Sequence, residues 1–247
     1  MNPQSSYEDA APPMSEVGRL TGVFLDPKKA FADIAARPRW YVPMILSIVA
    51  SLAFMFCYSS RVGWEREMRQ NLESNARMQQ MDAEQRERIV QQQVKFAPIA
   101  GYVFSVVGVP VMWLIIAGVM VLMVKMGGGS LRFKQMFAIT SYSMMPGFLA
   151  ALLTIVVIFL KNPEDFSLKN PLAFNVAAFL EPPPTTGKFV YSLAKSFDLF
   201  SIWMILLVAI GISVATRKIA FSKAIVLVVT PWLIWVLVSS ASAGLFS

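Results

Sequence analysis

Phe96 to Val124, FAPIAGYVFSVVGVPVMWLIIAGVMVLMV, is a stretch of 29 residues without a charged side chain. A helix needs about 20 apolar residues to cross the roughly 30 Å hydrocarbon core of a bilayer. The stretch is therefore long enough to span a membrane. Its excess length predicts that the helix tilts or begins outside the hydrocarbon, and we place the membrane portion at about 103–124.

Four further stretches carry no charge: Tyr41–Ser60 (20 residues), Met136–Leu160 (25), Leu199–Thr216 (18) and Ala224–Ser247 (24). Strands of a membrane barrel are about 10 residues long and alternate strictly between apolar and polar side chains, unlike these stretches. The sequence therefore predicts an all-α integral membrane protein with five transmembrane helices, at about residues 41–60, 103–124, 136–160, 199–216 and 224–246.

The composition agrees with a membrane protein and excludes several classes of function. Hydrophobic residues make up 56% of the 247-residue chain and charged residues 15%, whereas soluble domains average about 45–50% and about 25%. The chain has no histidine and one cysteine, Cys57. Imidazole catalysis, histidine metal ligands and an intrachain disulfide are therefore excluded. We predict no catalytic residue, no cofactor and no metal.

The loops between the spans predict the orientation of the chain. Two short loops carry three basic residues each and no acid: Lys125, Arg132 and Lys134 in one, and Arg217, Lys218 and Lys223 in the other. Short basic loops remain in the cytoplasm. We therefore expect a cytoplasmic N-terminus and a C-terminus outside. The basic residues number 11 on each side of the membrane by this assignment, so loop length and the absence of acids decide it.

The segment before the first span divides into two parts. Residues 1–14 are polar and predict a disordered tail, whereas residues 15–38 predict an amphipathic interfacial segment. Asp26-Pro27 is a typical helix start, and the helix should end before Pro38. Its apolar face docks either on anionic headgroups or on the protein's own spans, and both alternatives stay open.

The 35-residue loop 61–95 predicts an extramembrane helical hairpin between spans 1 and 2. It contains no proline, so the first helix is expected to continue to about Gln79, and Asp82 is expected to cap a second helix that runs into span 2. The hairpin is either a prong that binds a partner or a solvated stalk. The stalk is favoured because runs of charge usually face water.

Polar groups beside prolines form the candidate interaction or cavity site. Pro146-Gly147 interrupts span 3 and Pro231 lies in span 5, and paired broken spans are typical of substrate sites in transporters. Phe133-Lys134 precedes Pro146, and Phe221 to Lys223 precedes Pro231 in a similar way. The two segments form a weak internal repeat. Hydroxyls that bond freed carbonyls for helix packing are the alternative. The candidate residues are Tyr142, Ser143, Pro146, Pro231, Phe133 and Lys134.

A second set of residues is predicted to face the membrane surface. The net charge of +7 comes almost wholly from the two short loops, which favours contact with the inner leaflet over nucleic-acid binding. The bilayer is thus one expected partner, and other membrane proteins or a second copy of the chain are the others. The predicted surface residues are Lys28, Lys29, Lys125, Arg132, Arg217, Lys218 and Lys223.

Short motifs in a fixed order make the chain resemble bacterial members of the Yip1 domain family. They are Phe24 to Pro27 with Pro38-Arg39-Trp40, then Gly128-Gly129-Ser130 with Phe133-Lys134, Tyr142 and Pro146, and then Asp198 to Trp203 and Phe221 to Pro231. The resemblance implies a five-span domain over 39–247 with a cytoplasmic N-terminus, in a bacterial inner membrane. Eukaryotic relatives are associated with vesicle traffic, which extends to this chain only by analogy.

Three functions compete on this evidence. The first is a non-enzymatic membrane scaffold or accessory subunit that binds other membrane proteins or lipids. The second is a transporter or channel subunit with a polar cavity at broken spans 3 and 5. The third is a membrane enzyme, which would need Asp198 to converge with Glu164 or Asp165. The first is the prediction, because the spans contain no ionisable group for catalysis or proton coupling.

Overall fold

The computed structural model describes residues 12–73, 80–183 and 185–245. Most of the predicted tail 1–14 therefore lies outside the described residues. The helices are α1 (Glu16–Leu25), α2 (Pro27–Ala36), α3 (Tyr41–Arg61), α4 (Glu65–Glu73), α5 (Ala83–Val103), α6 (Val109–Met126), α7 (Phe133–Ser143), α8 (Met145–Leu160), α9 (Lys188–Ser196), α10 (Leu199–Thr216) and α11 (Phe221–Leu245).

Five helical stretches are long and apolar enough to cross a membrane, which confirms the five-span all-α prediction. Span 1 is α3, span 4 is α10, and span 5 is α11. Span 2 lies within the helical stretch Ala83–Met126, which joins α5 to α6 and begins outside the membrane, and span 3 lies within Phe133–Leu160, which joins α7 to α8. Span 1 packs on spans 2 and 3, and span 4 packs on spans 3 and 5. Span 5 also contacts span 2.

The N-terminal hairpin, α1 and α2, packs on the protein's own spans. The Asp26 side chain accepts a hydrogen bond from the Lys29 amide, and Pro27 is the first residue of α2, as the sequence predicted. Phe31 is fully buried, and its ring lies against Gly211 of α10. Phe24 contacts Trp203 in the same span, with ring centroids 5.3 Å apart. Of the two docking alternatives, the structure shows packing on the spans.

Small residues allow spans 1 and 2 to approach closely. A Cβ atom on Gly101 would lie 2.4 Å from the sulfur of Met55, so a larger residue there would force the Met55 side chain to move. One turn later, Ser51 donates a 2.8 Å hydrogen bond to the hydroxyl of Ser105. The small pair Gly101 and Ser105 thus has the packing role that its four-residue spacing predicts.

Span 2 is one continuous helix with a local widening. A π-helical turn at Phe104–Gly108 separates α5 from α6, just before Pro110. Such turns relieve a local misfit in the hydrogen-bond ladder, here next to a residue that has no amide hydrogen to donate. Only 17% of the apolar window of span 2 is buried, against 22–33% for the other four spans.

The hairpin between spans 1 and 2 differs in one respect from the prediction. The first helix does not continue to Gln79: α3 ends at Arg61, and α4 begins at Glu65. The reason is Gly63, whose φ of +81° is a left-handed conformation that ends the helix. Asp82 caps α5 as predicted, because its side chain accepts from the Gln85 amide at 2.7 Å. Residues 74–79 lie outside the described part.

One ion pair joins the two described helices of this hairpin, and a second lies within α4. Arg69 contacts Glu65 in its own helix at 2.8 Å and Glu87 of α5 at 2.9 Å. The hydrogen bond from Arg69 lowers the pKa of the Glu87 carboxyl below its ordinary value. We call α4 together with residues 83–95 of α5 the prong. The apolar stretch of span 2 begins after it, at Phe96.

The loop between spans 3 and 4 folds back on the bundle. Asn175 and Asp198 form an isolated antiparallel bridge, and α9 runs along the end of α11, where Phe189 lies against Gly244. Phe179 is 90% exposed in a short 3-10 helix of this loop. These positions keep Asp198 at the start of α10.

Candidate functional site

The first half of span 3 is the most enclosed part of the described chain. Every residue from Met136 to Ser143 is buried. The helix α7 that carries them is packed by α1, α2, α3, α6 and α10. A short helix surrounded on all sides, which ends in the interior, is the kind of element that lines binding sites in membrane proteins.

The break in span 3 lies where the sequence predicted it. Helix α7 ends at Ser143, and α8 begins at Met145 with Pro146 in its first turn. Proline is tolerated in the first turn of a helix because the amide there has no intrahelical partner. Tyr142, Ser143 and Pro146 are all buried at this junction.

The hydroxyl of Tyr142 connects the break to the N-terminal hairpin. It donates a 2.5 Å hydrogen bond to the Glu16 carboxylate of α1. Beside it lies Arg19, whose side chain is only 1% exposed. Arg19 forms an ion pair with Asp33 of α2 at 2.7 Å and a longer one with Glu16 at 3.5 Å. Acid and base groups of both hairpin helices therefore meet at one side of α7.

Two further arginines complete this charged cluster. Arg37 contacts the second oxygen of Asp33 at 2.9 Å, and Arg39 contacts Glu16 at 3.2 Å. Burial alone lowers the pKa of the Arg19 guanidinium, but its hydrogen bond and ion pair with Asp33 outweigh burial and raise that pKa. The guanidinium is therefore charged at every physiological pH. Its ion pair with Asp33 holds α1 against α2.

The charged cluster was not predicted from the sequence. The available signal was that Arg19 and Asp33 lie on the apolar faces of their helices, Arg19 four residues before Val23 and Asp33 three residues after Ala30. A charge on an apolar face is rarely buried without a partner of opposite charge. That signal shows that partners exist, but it does not identify Tyr142, which lies 126 positions from Glu16.

Two hydroxyls next to Tyr142 have no hydrogen-bond partner among the described residues. Thr140 and Ser143 are fully buried, and their side-chain oxygens are unpaired, whereas Ser141 donates to the Phe137 carbonyl at 2.8 Å. A buried polar group without a partner costs about 1–3 kcal/mol. These two hydroxyls are therefore buried polar groups in α7 whose hydrogen-bonding capacity is unused.

The other predicted site residues lie elsewhere. Phe133 and Lys134 are exposed at the start of α7, about 12 Å along the helix axis from Tyr142. Pro231 does not break span 5: it lies inside the continuous helix α11, and the neighbouring Thr230 hydroxyl bonds the Val226 carbonyl. The prediction of a broken span 5 is wrong, because a single proline there is absorbed within the helix.

Tyr142 and Ser143 lie in α7 and Pro231 lies in α11, on two different spans. A cavity of about 730 Å³ lies where span 1 meets the prong, lined by Trp64, Arg66, Arg69 and Val94 among others. Spans 3 and 5 each pack against span 4.

Two of the three acids that an enzyme site would need have structural partners. Asp198 is the N-cap of α10, and its carboxylate accepts hydrogen bonds from the amides of Phe200 and Ser201 at 2.9 and 3.0 Å. The Asp165 carboxylate accepts from Asn162. Within the described ranges, no group of three histidine, cysteine, aspartate or glutamate side chains is placed to hold a metal ion.

The predicted surface residues fall into two groups. Lys28 and Lys29 are exposed near the turn of the N-terminal hairpin. The other five are exposed where spans 2 and 3 and spans 4 and 5 connect: Lys125, Arg132, Arg217, Lys218 and Lys223.

Comparison with known proteins adds one finding. The model of the Yip1 domain matches residues 21–243, which includes all five spans and most of the N-terminal hairpin. No curated protein and no solved structure matches the chain.

Proposed function

The chain belongs to the Yip1 domain family, and from that premise we propose that it is a non-enzymatic scaffold or accessory subunit of the bacterial inner membrane. In this role it binds other membrane proteins or lipids, with its N-terminus in the cytoplasm and its C-terminus outside. The observation that carries the proposal is the surface of span 2, the least buried of the five spans.

The exposed side of span 2 is a continuous apolar surface. Val107, Ile115 and Leu122 are each more than half exposed, and their spacing of seven or eight residues places them on one helix face. The same helix continues into the prong, so a partner could contact the chain inside and outside the membrane. Association of spans in lipid depends on such packing surfaces.

The interior of the molecule supports a scaffold over an enzyme. The buried charges of the N-terminal hairpin are paired with one another, and Asp198 caps a helix. Groups that hold helices together in this way are part of the fold. These groups are therefore not part of a reaction centre, and we assign the function to the outer surfaces of the protein.

Site-directed photo-crosslinking in native membranes tests the proposal. A photoreactive residue at Val107 is expected to give a discrete adduct with another protein or a second copy of the chain. Val49 of span 1 is the matched control, because it is a valine exposed to the same degree, 58% against 55%. Equal adduct patterns at both positions, or none at Val107, Ile115 and Leu122, contradict the proposal.

A transporter or channel subunit is the second candidate, favoured by the unpaired hydroxyls of Thr140 and Ser143 beside the break in span 3. Flux in liposomes tests it. If the break forms the pathway, Pro146→Ala alters the flux and Pro231→Ala does not, because Pro231 lies in an unbroken helix. Flux that is absent, or insensitive to both substitutions, excludes this candidate.

A further inference from the structure

The two short basic loops of the chain touch each other in the fold. A Cβ atom on Gly127 would lie 2.7 Å from Leu227, and one on Gly129 would lie 2.6 Å from Ile219. The loop between spans 2 and 3 is therefore fitted against Ile219 in the loop between spans 4 and 5 and against Leu227 at the start of span 5, and the missing side chains of the glycines leave room for this approach. Ile219 is buried at the contact, with 2% exposure.

This contact merges the charges of both loops into one surface. We call it the basic patch: Lys125, Arg132, Lys134, Arg217, Lys218 and Lys223. All six side chains are exposed, and neither loop contains an acid. Among the described residues, no member of the patch takes part in a salt bridge.

The absence of counter-charges distinguishes the basic patch from Arg19 and Arg69. Arg19 is paired with Asp33 inside the hairpin, and Arg69 is paired with two glutamates in the prong. Six basic side chains from two adjoining loops repel one another unless anions lie between them. The patch thus attracts negative charge from outside the chain.

Large apolar side chains are interleaved with these charges. Phe133 is 47% exposed between Arg132 and Lys134, and Phe221 is 43% exposed two residues before Lys223. Met126 is 72% exposed beside Lys125. Alternation of basic and exposed apolar side chains is typical of surfaces at the membrane interface, where the charge reaches phosphate and the apolar group reaches acyl chains.

We propose that the basic patch binds the headgroups of anionic phospholipids, with Phe133 and Phe221 inserted at the acyl boundary. The patch lies at the ends of four spans, so the bilayer surface is within reach of every member. A soluble polyanion would satisfy the charges but would leave the phenylalanines in water. The inference deepens the proposed scaffold function by naming the class of lipid.

Native mass spectrometry of the purified full-length chain tests this inference. The chain in neutral detergent is mixed with equal amounts of phosphatidylglycerol and phosphatidylcholine that have identical acyl chains, and the lipids retained on the protein are counted. We expect several-fold more phosphatidylglycerol than phosphatidylcholine. Millimolar inorganic phosphate in place of the lipids is expected not to bind.

Charge substitutions locate the binding. The triple variant Arg132→Gln, Arg217→Gln, Lys218→Gln should lose the several-fold preference for phosphatidylglycerol, because each basic residue near the surface contributes to the attraction of anionic headgroups. The matched control Lys161→Gln, Lys169→Gln, Lys195→Gln removes the same charge from exposed positions in the loop between spans 3 and 4 and should retain it. The single variants Arg217→Gln and Lys218→Gln are measured alongside, because they preserve the fold if the triple variant does not.

Three results would overturn the inference: equal retention of both lipids by the wild type, equal loss in patch and control variants, or displacement of the lipid by inorganic phosphate. The assay contains no partner protein. Its outcome is therefore independent of the crosslinking at Val107, and the failure of one proposal can be told from the failure of the other.

Discussion

The Tyr142 hydroxyl donates a hydrogen bond to the Glu16 carboxylate, 126 positions away in the chain, and so joins the first half of span 3 to the N-terminal hairpin. A second link lies nearer the start of α7, where the side-chain amide of Gln135 donates a 3.0 Å hydrogen bond to the backbone carbonyl of Ala35 in α2. Because both hairpin helices are held this way, the hairpin and α7 should unfold as one unit.

Removal of the Tyr142 hydroxyl should weaken this unit. In Tyr142→Phe the hydrogen bond to a charged carboxylate is lost, which costs about 1.5–3 kcal/mol. The free energy of unfolding, measured in bicelles by tryptophan fluorescence, should fall by that amount. Tyr41→Phe is the control, because Tyr41 is 44% exposed at the start of span 1. Equal losses in both variants would show that the bond contributes nothing specific.

Loss of the Arg19 charge should cost more than loss of the tyrosine hydroxyl. Arg19→Met leaves Asp33, which is 11% exposed, without its buried partner, and breaking a buried ion pair costs about 3–5 kcal/mol. Arg88→Met is the control: its pair with Glu84 is about three-quarters exposed, and such pairs contribute about 0–1 kcal/mol. If both variants lose similar unfolding free energy, the buried pair is not a stabilising contact.

Gly211 should tolerate no side chain. A Cβ atom there would lie 2.4 Å from Ile139 of α7 and 3.2 Å from the Phe31 ring. Gly211→Ala should therefore destabilise the protein by about 1–3 kcal/mol. Gly118→Ala in span 2 has open space around it and should leave the melting temperature unchanged or slightly raised. Similar melting temperatures for the two variants would contradict the close packing of α2, α7 and α10.

The prong should respond to acid through Glu87. Its carboxyl has a lowered pKa, chiefly because of the hydrogen bond from Arg69, so its stabilising contribution is complete above the ordinary value of 4.5. That contribution is lost as the pH falls through the lower, folded pKa. A carboxyl-carbon NMR titration should give a pKa below 4.5, and Arg69→Gln should raise it toward that value. An unchanged titration in Arg69→Gln would mean that the pair does not form.

Much of the fold follows from local sequence signals. Stretches without charge predict five spans because a charged side chain is costly in hydrocarbon. Asp26-Pro27 and Asp82 predict helix starts, and Pro146 predicts the break in span 3, because capping and proline effects act within a few residues.

The sequence does not predict the features that depend on three-dimensional packing. The ion pair of Arg19 and Asp33 and the contact of Gly129 with Ile219 join distant segments, and no periodic pattern records such contacts. The prediction that Pro231 breaks span 5 fails for a related reason. A helix can accommodate a proline without ending when neighbouring helices satisfy the freed backbone groups.

That the N-terminal hairpin is part of the membrane bundle is tested most directly by hydrogen exchange of the full-length chain in lipid nanodiscs. The amides of α2 (Pro27–Ala36) should exchange as slowly as those of α7 (Phe133–Ser143), because both helices are packed in one buried unit. If the α2 amides exchange as fast as those of the loop 127–132, the hairpin is a peripheral element. That result would contradict its packing in the membrane bundle.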